Sequence, residues 1–96
     1  MLVLVTYDVS TETSAGRRRL NRVAKKCLAH GQRVQNSVFE CNIDWSQYVA
    51  LQEELKNMIN PEEDSLRFYN LGNSYEKKVV HFGVKPSIQI EGELIL

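Results

Sequence analysis

LVLVTYDV, residues 2–9, is rich in β-branched residues and runs out on a carboxylate, Asp8, and it reads as a first strand. The polar stretch STETSAG (10–16) follows it. Leu20, Val23, Ala24, Cys27 and Leu28 then recur at i, i+3, i+4, i+7 and i+8, the spacing of one helix face. Gly31, just past His30, is a stop signal for that helix. RVQNSVFECNI (33–43) reads as a second strand. Asp44 with Gln47 three residues on forms a capping box, opening a helix whose apolar stripe is Trp45, Tyr48, Leu51, Leu55, Met58 and Ile59. Asn60-Pro61 ends it. DSLRFYNL (64–71) is the third predicted strand and KVVHF (78–82) the fourth. The expected fold is α+β, the ferredoxin-like β-α-β-β-α-β arrangement, with two helices on one face of a four-stranded antiparallel sheet.

Two features point to association. An antiparallel sheet with one wet face alternates apolar and polar residues, whereas Leu2, Val3, Leu4 and Val5 are apolar on both faces. Strand three likewise places Leu66 and Phe68 on one face, Tyr69 and Leu71 on the other. Residues 87–96, SIQIEGELIL, end in three apolar residues, unusual for a free terminus. The expectation is a ferredoxin-like domain over 1–86 and an additional C-terminal strand over 87–96 that pairs with a partner protomer. The sheets of the homodimer would pack face to face. A chain of 96 residues has a marginal core and gains from such association.

No apolar run approaches the roughly 20 residues that span a bilayer. MLVLV is too brief and lacks the basic flank of a signal peptide, so a cytoplasmic chain without membrane contact is expected. Cys27 and Cys41 form no C-x-x-C or Cys/His cluster and read as buried, reduced thiols. His30 and His81 stand alone, as a helix-end and a strand residue. Formal charge is zero, from 12 basic and 12 acidic residues, which by itself argues against an acidic partner. The zero hides an asymmetry. Residues 1–40 carry seven basic and three acidic residues, a balance of +4, and residues 41–96 carry five and nine, −4. Six of the first seven lie between Arg17 and Lys26, on one predicted helix. The acidic run Glu62-Glu63-Asp64 reads as a solubilising loop.

Phosphate-binding loops, nucleophile elbows, metalloprotease motifs and the aromatic signature of RNA-recognition modules are all missing. What remains is Asp8, the acidic residue at the end of strand one, with Ser10 and Thr11 just beyond and the basic helix starting at Arg17. A strand-end carboxylate beside basic residues suits Mg²⁺ acting on phosphodiesters, since Mg²⁺ is commonly held by one or two carboxylates, waters and phosphate oxygens. A two-fold axis near this point would pair two Asp8 carboxylates across one cation. The competing reading of Asp8 is a cap for the following turn or helix. Tyr7, Arg33, Phe39 and Arg67 are further candidates: arginines hold phosphates without reading bases, and Phe39 is either a stacking platform or a core residue.

LVLVTYDVSTETSAGRRRLNRVAK, GQRVQNSVFEC and DSLRFYNLG together resemble the CRISPR-associated small-subunit family of the adaptation module, the partner of the integrase subunit, over nearly the whole chain. The terminal GELIL is similar to the subgroup accompanying type I-C systems. The resemblance implies a ferredoxin-like symmetric dimer in which Asp8 of each protomer reaches one shared divalent metal, Mg²⁺ or Mn²⁺. It implies capture of double-stranded DNA for spacer acquisition, with the dimer bridging integrase subunits. It also implies a metal-dependent endonuclease activity on double-stranded DNA or single-stranded RNA. Asp8 matches the family's metal and catalytic position. Tyr7, Ser10, Arg17, Arg18, Arg33 and Phe39 match its supporting or nucleic-acid-contacting positions. The alternative function, from a different class, is a ligand-sensing regulatory module without nuclease activity.

Overall fold

Alternation along the first apolar run sets the architecture. The computed structural model describes residues 1–83 and the strand pairs Ser87–Ile88 and Leu94–Ile95. In it, β1 spans Leu2–Asp8, α1 Ser14–Leu28, β2 Gly31–Gln35, β3 Val38–Asn42, α2 Trp45–Lys56 and β4 Ser65–Gly72. The sheet order is β2-β3-β1-β4, with every neighbouring pair antiparallel. Val3, Val5 and Tyr7 of β1 point toward the helices, level with Cys41 and Phe39 on β3 and with Phe68 and Leu66 on β4. Leu20, Val23, Ala24 and Cys27 of α1 and Leu51 and Leu55 of α2 close the core over them. The ferredoxin-like fold is therefore present, with both helices on one face.

Each helix begins where its residues can satisfy the first amides. The Thr13 hydroxyl accepts from the Gly16 amide at 3.0 Å and caps α1. Asp44 and Gln47 form the expected capping box on α2, with the Asp44 carboxylate accepting from the Gln47 amide at 2.7 Å. Tyr48 meets Phe68 edge to face at 6.1 Å, which seats α2 on β4. The predicted stripes are slightly too wide: Leu28 at the end of α1 and Trp45 at the start of α2 are exposed. Met58 and Ile59 pack on the core from the turn beyond α2.

The main sheet has four strands, as expected, but its members differ from the expected ones. The run over 33–43 is not one strand; it folds into the hairpin β2–β3 about Asn36 and Ser37. A two-residue hairpin loop ordinarily favours positive φ. No non-glycine residue adopts one here, and the ladder instead carries an irregularity between Arg33 and Gln35. Residues 78–82, expected as the fourth strand, form none. Lys78 closes a turn, and Val79, Val80 and Phe82 are exposed, Phe82 at 88%. The expected strand over 87–96 falls outside the described residues, apart from the antiparallel pairs Ser87↔Ile95 and Ile88↔Leu94.

The uncovered sheet face, the one that neither helix covers, carries Leu2, Leu4, Thr6 and Asp8 of β1, Val38 and Glu40 of β3, and Ser65, Arg67 and Tyr69 of β4, and Leu2 is buried there. The expected apolar character holds at one end, where Leu2, Leu4 and Tyr69 lie, and gives way to Thr6, Arg67, Ser65 and Asp8 toward the other. The fully buried positions Val3 and Val5 belong to the helix side.

Gly31 ends no helix with a left-handed turn; it lies in β2, where a Cβ would stand 1.8 Å from the Glu40 carbonyl oxygen. That neighbour is backbone and cannot swing aside. Gly31→Ala should therefore destabilise the fold by about 1–3 kcal/mol, the usual cost of overpacking, as measured by urea unfolding. An unchanged midpoint would contradict the close approach.

Candidate functional site

Strand parity decides what β1 presents at its end. Tyr7 is buried on the helix side, so Asp8 projects onto the uncovered face and is exposed. The Tyr7 amide donates to the Ser37 carbonyl at 2.9 Å, which brings the β2–β3 hairpin tip beside Asp8. Asp8 lies level with Ser65, and Thr6 with Val38 and Arg67. Thr6, Tyr7, Asp8, Ser37, Val38, Ser65 and Arg67 together line an open depression. Asp8 caps no helix, since Thr13 performs that role for α1. Its carboxylate makes no hydrogen bond or ion pair among the described residues.

Beneath this depression lies a group the sequence reading missed. The Asp64 side chain is fully buried and accepts hydrogen bonds from the Tyr7 hydroxyl, from Arg19 Nε at 2.8 Å and from the Asn60 amide at 2.9 Å. A second Arg19 nitrogen reaches the other Asp64 oxygen at 3.1 Å, making the pair bidentate. Burial works against the Asp64 charge. The hydrogen bonds from Arg19, Tyr7 and the Asn60 amide nonetheless hold its carboxyl below the usual range. Burial, then the bond to Asp64, pushes the Tyr7 hydroxyl up to about 12. Asp64 is thus a structural anchor, not part of a solvated acidic loop. One signal for it was present: Arg19 falls three residues after Gly16 and four before Val23, on the buried stripe of α1, and an arginine there needs a partner.

The remaining candidates separate. Ser10 and Arg17 sit in the loop and first turn beside β1. The Gly16 Cβ position lies 1.8 Å from the Ser10 carbonyl oxygen, so that loop presses directly on α1. An Arg17 guanidinium nitrogen donates to the Thr11 carbonyl at 2.9 Å. Arg18 and Arg22 are exposed on α1 and make no side-chain bond among the described residues. Arg33 lies on β2 over the Phe39 ring at 5.2 Å, level with Val5 rather than Asp8 and on the helix side of the sheet. Phe39 is fully buried in the core, so its place is packing, not base stacking. Arg67, in contrast, shares the depression with Asp8.

Among the described residues, no three His, Cys, Asp or Glu side chains converge as a metal cage. Among the described residues the depression offers a single free carboxylate, Asp8, together with Thr6, Ser37 and Ser65, a lining of oxygen donors of the kind hard divalent cations accept. Cys27 and Cys41 are free and buried, as expected.

Residues 1–79 match the family described as CRISPR associated protein Cas2. The chain is 59% identical over 96 residues, the full length of both, to the CRISPR-associated endoribonuclease Cas2 of Chlorobaculum tepidum. It is 57% identical over 95 residues, 99% of each chain, to the CRISPR-associated endonuclease Cas2 of Halalkalibacterium halodurans. The crystal structure of Streptococcus pyogenes Cas2 at pH 6.5 superposes with a TM-score of 0.79 at 52% identity, covering 86% of this chain and 100% of that one.

The buried network dictates how stability depends on pH. Asp64 has a lowered folded pKa, so its contribution is complete above the unfolded value of about 4 and lost as pH falls through the folded one. Tyr7 has a raised folded pKa, so its contribution is complete below about pH 10 and lost as pH rises toward about 12. Thermal melts should be flat between these limits and fall on both sides. Asp64→Ala strands the buried Tyr7 hydroxyl, which should cost about 1–3 kcal/mol. It should also remove Asp64's share of the acid limb; an acid limb unchanged in this variant would refute the assignment.

Proposed function

The chain belongs to the CRISPR-associated Cas2 family, and from that premise we propose that it is an endonuclease of the CRISPR adaptation module, cutting phosphodiester bonds at the Asp8 depression. The observation that carries this reading is Asp8 itself: an exposed carboxylate, unpartnered among the described residues, at the end of the central strand β1 and flanked by hydroxyls and an arginine. The names of its relatives, endoribonuclease and endonuclease, support the reaction class.

The working unit is a homodimer. The uncovered sheet face, the edge of β4, unpaired among the described residues, and the exposed Val79, Val80 and Phe82 supply surface for a second copy. Its axis passes near Asp8, so that two half-sites make one. Asp8 of each protomer would hold Mg²⁺, or Mn²⁺, whose charge offsets that developing on the scissile phosphate. The Thr6, Ser37 and Ser65 hydroxyls orient the phosphodiester and its water. Among the described residues, no second carboxylate or histidine lines the depression to take a proton, so turnover is expected to be slow.

Nucleic acid is held mainly by its backbone. Arg17, Arg18 and Arg22 form an exposed basic strip on α1, and the two-fold axis doubles it. Phosphate neutralisation of this kind binds double-stranded DNA or single-stranded RNA without reading sequence and weakens steeply with salt. In the adaptation module the same surface would hold a DNA fragment while the dimer bridges integrase subunits.

Asp8→Asn keeps the shape of the depression and removes its charge. Cleavage of duplex DNA and single-stranded RNA with Mg²⁺ should fall by more than the roughly 10–100-fold that loss of an outer-shell partner costs at a metal site. Sedimentation should still show the dimer. Full cleavage by the variant, or no cleavage of either substrate by the wild type, would overturn the nuclease reading.

A further inference from the structure

On the uncovered face, Arg67 and Asp8 are close but do not pair. Arg67 stands level with Thr6, and Asp8 with Ser65, which makes Arg67 and Asp8 diagonal neighbours on adjacent strands. Such neighbours lie about 7–8 Å apart at the backbone, within reach of a long side chain. Both residues line the same depression. An exposed arginine beside an exposed aspartate would ordinarily close an ion pair. Here an Arg67 guanidinium nitrogen instead donates to the Tyr69 hydroxyl at 3.1 Å, and Asp8 is left free among the described residues. Tyr69 lies two residues along β4 from Arg67, on the same face and farther from Asp8, level with Leu4.

We propose that Tyr69 holds the Arg67 guanidinium away from Asp8, so that the depression keeps two separate seats, a carboxylate for a cation and an arginine fork for a phosphodiester oxyanion. Arg67 is the phosphate-binding group and Tyr69 its positioning residue. The arrangement solves a particular conflict. A cation site and an anion site a few ångströms apart neutralise each other if their side chains are free to meet. A guanidinium has five N–H donors, so one bond to Tyr69 leaves a fork able to take two phosphate oxygens. The proposal rests on the nuclease reading for its substrate class, a nucleic-acid backbone, and adds which residue grips the phosphate nearest Asp8.

The test is equilibrium binding of a short fluorescent DNA duplex across a salt series in EDTA, which involves neither metal nor turnover. Arg67→Ala should weaken binding about tenfold and lower the slope of log K against log salt by about one for each phosphate no longer neutralised. Arg67→Lys should keep the slope, since the charge stays, with intermediate affinity because the fork is gone. Tyr69→Phe should weaken binding because the released guanidinium turns to Asp8. Adding Asp8→Asn to Tyr69→Phe should restore binding to that of Asp8→Asn alone, a rescue that a loss of structure could not produce. Lys56→Ala, on the exposed end of α2, should leave the slope unchanged. An unaltered slope in Arg67→Ala, or failure of the double variant to recover, would overturn the inference while leaving the nuclease reading intact. Dissociation of the dimer in Arg67→Ala would overturn it too, by assigning Arg67 to the subunit contact. A wild-type chain that binds no duplex and cuts neither DNA nor RNA would instead remove the reading on which the proposal stands.

Discussion

Everything at the end of β1 depends on one buried carboxylate. Asp64 draws together a hydroxyl from β1, a guanidinium from α1 and a backbone amide from the turn after α2. A carboxylate with no exposed surface is costly unless its oxygens are filled, and these three donors fill them. Because Tyr7 is committed inward to Asp64, the next residue is committed outward by the pleat. Asp8 thus reaches solvent as a direct result of what Tyr7 binds. The same bond aligns the last residue of β1 with the first of β4, which brings Ser65 and Arg67 to Asp8.

The chain's net neutrality, from 12 basic and 12 acidic residues, conceals a division of labour between inward and outward charges. Arg19 faces Asp64 and Glu63, and Lys26 pairs with Glu54 of α2, so part of the basic run is consumed in holding α1 to the rest of the fold. The exposed ion pairs among these add little stability; they do remove charge from the outer surface of the helix. Arg17, Arg18, Arg22 and Lys25 remain on that surface. The field around α1 is therefore set by these four cations, not by the net charge.

Much of the architecture was legible because helix periodicity and capping are local. The Asp44–Gln47 box and the centres of the α1 and α2 stripes stood where expected, and only Leu28 and Trp45 at their ends turned outward. The hairpin over 33–43 was not legible, because Asn36-Ser37 is a feeble turn signal and both flanks have strand composition. Residues 78–82 erred in the opposite direction: Val79 and Val80 have high strand propensity, yet propensity cannot supply a neighbouring strand to pair with. Asp8 was legible as a strand-end residue, and β1 does end on it. Asp64 was hidden in an acidic run, since composition cannot tell which of three adjacent acids turns inward. Phe39 and Arg33 were grouped with Asp8 by type, and the register shows them level with Val5, on the other face.

The sheet order also governs how the chain can assemble. The first strand made is an inner one, and it pairs with the last strand of the sheet, with Leu2 level with Gly72 and Asp8 level with Ser65. Contacts so distant along the chain are slow to form, because a long loop must close before they contribute. On the ribosome, β1 can pair with β3 once the hairpin has emerged, while its other edge stays open until β4 leaves the exit tunnel. The nascent chain thus carries one open edge of an apolar strand until Ser65–Gly72 has emerged, and the Tyr7–Asp64 bond waits for the same segment.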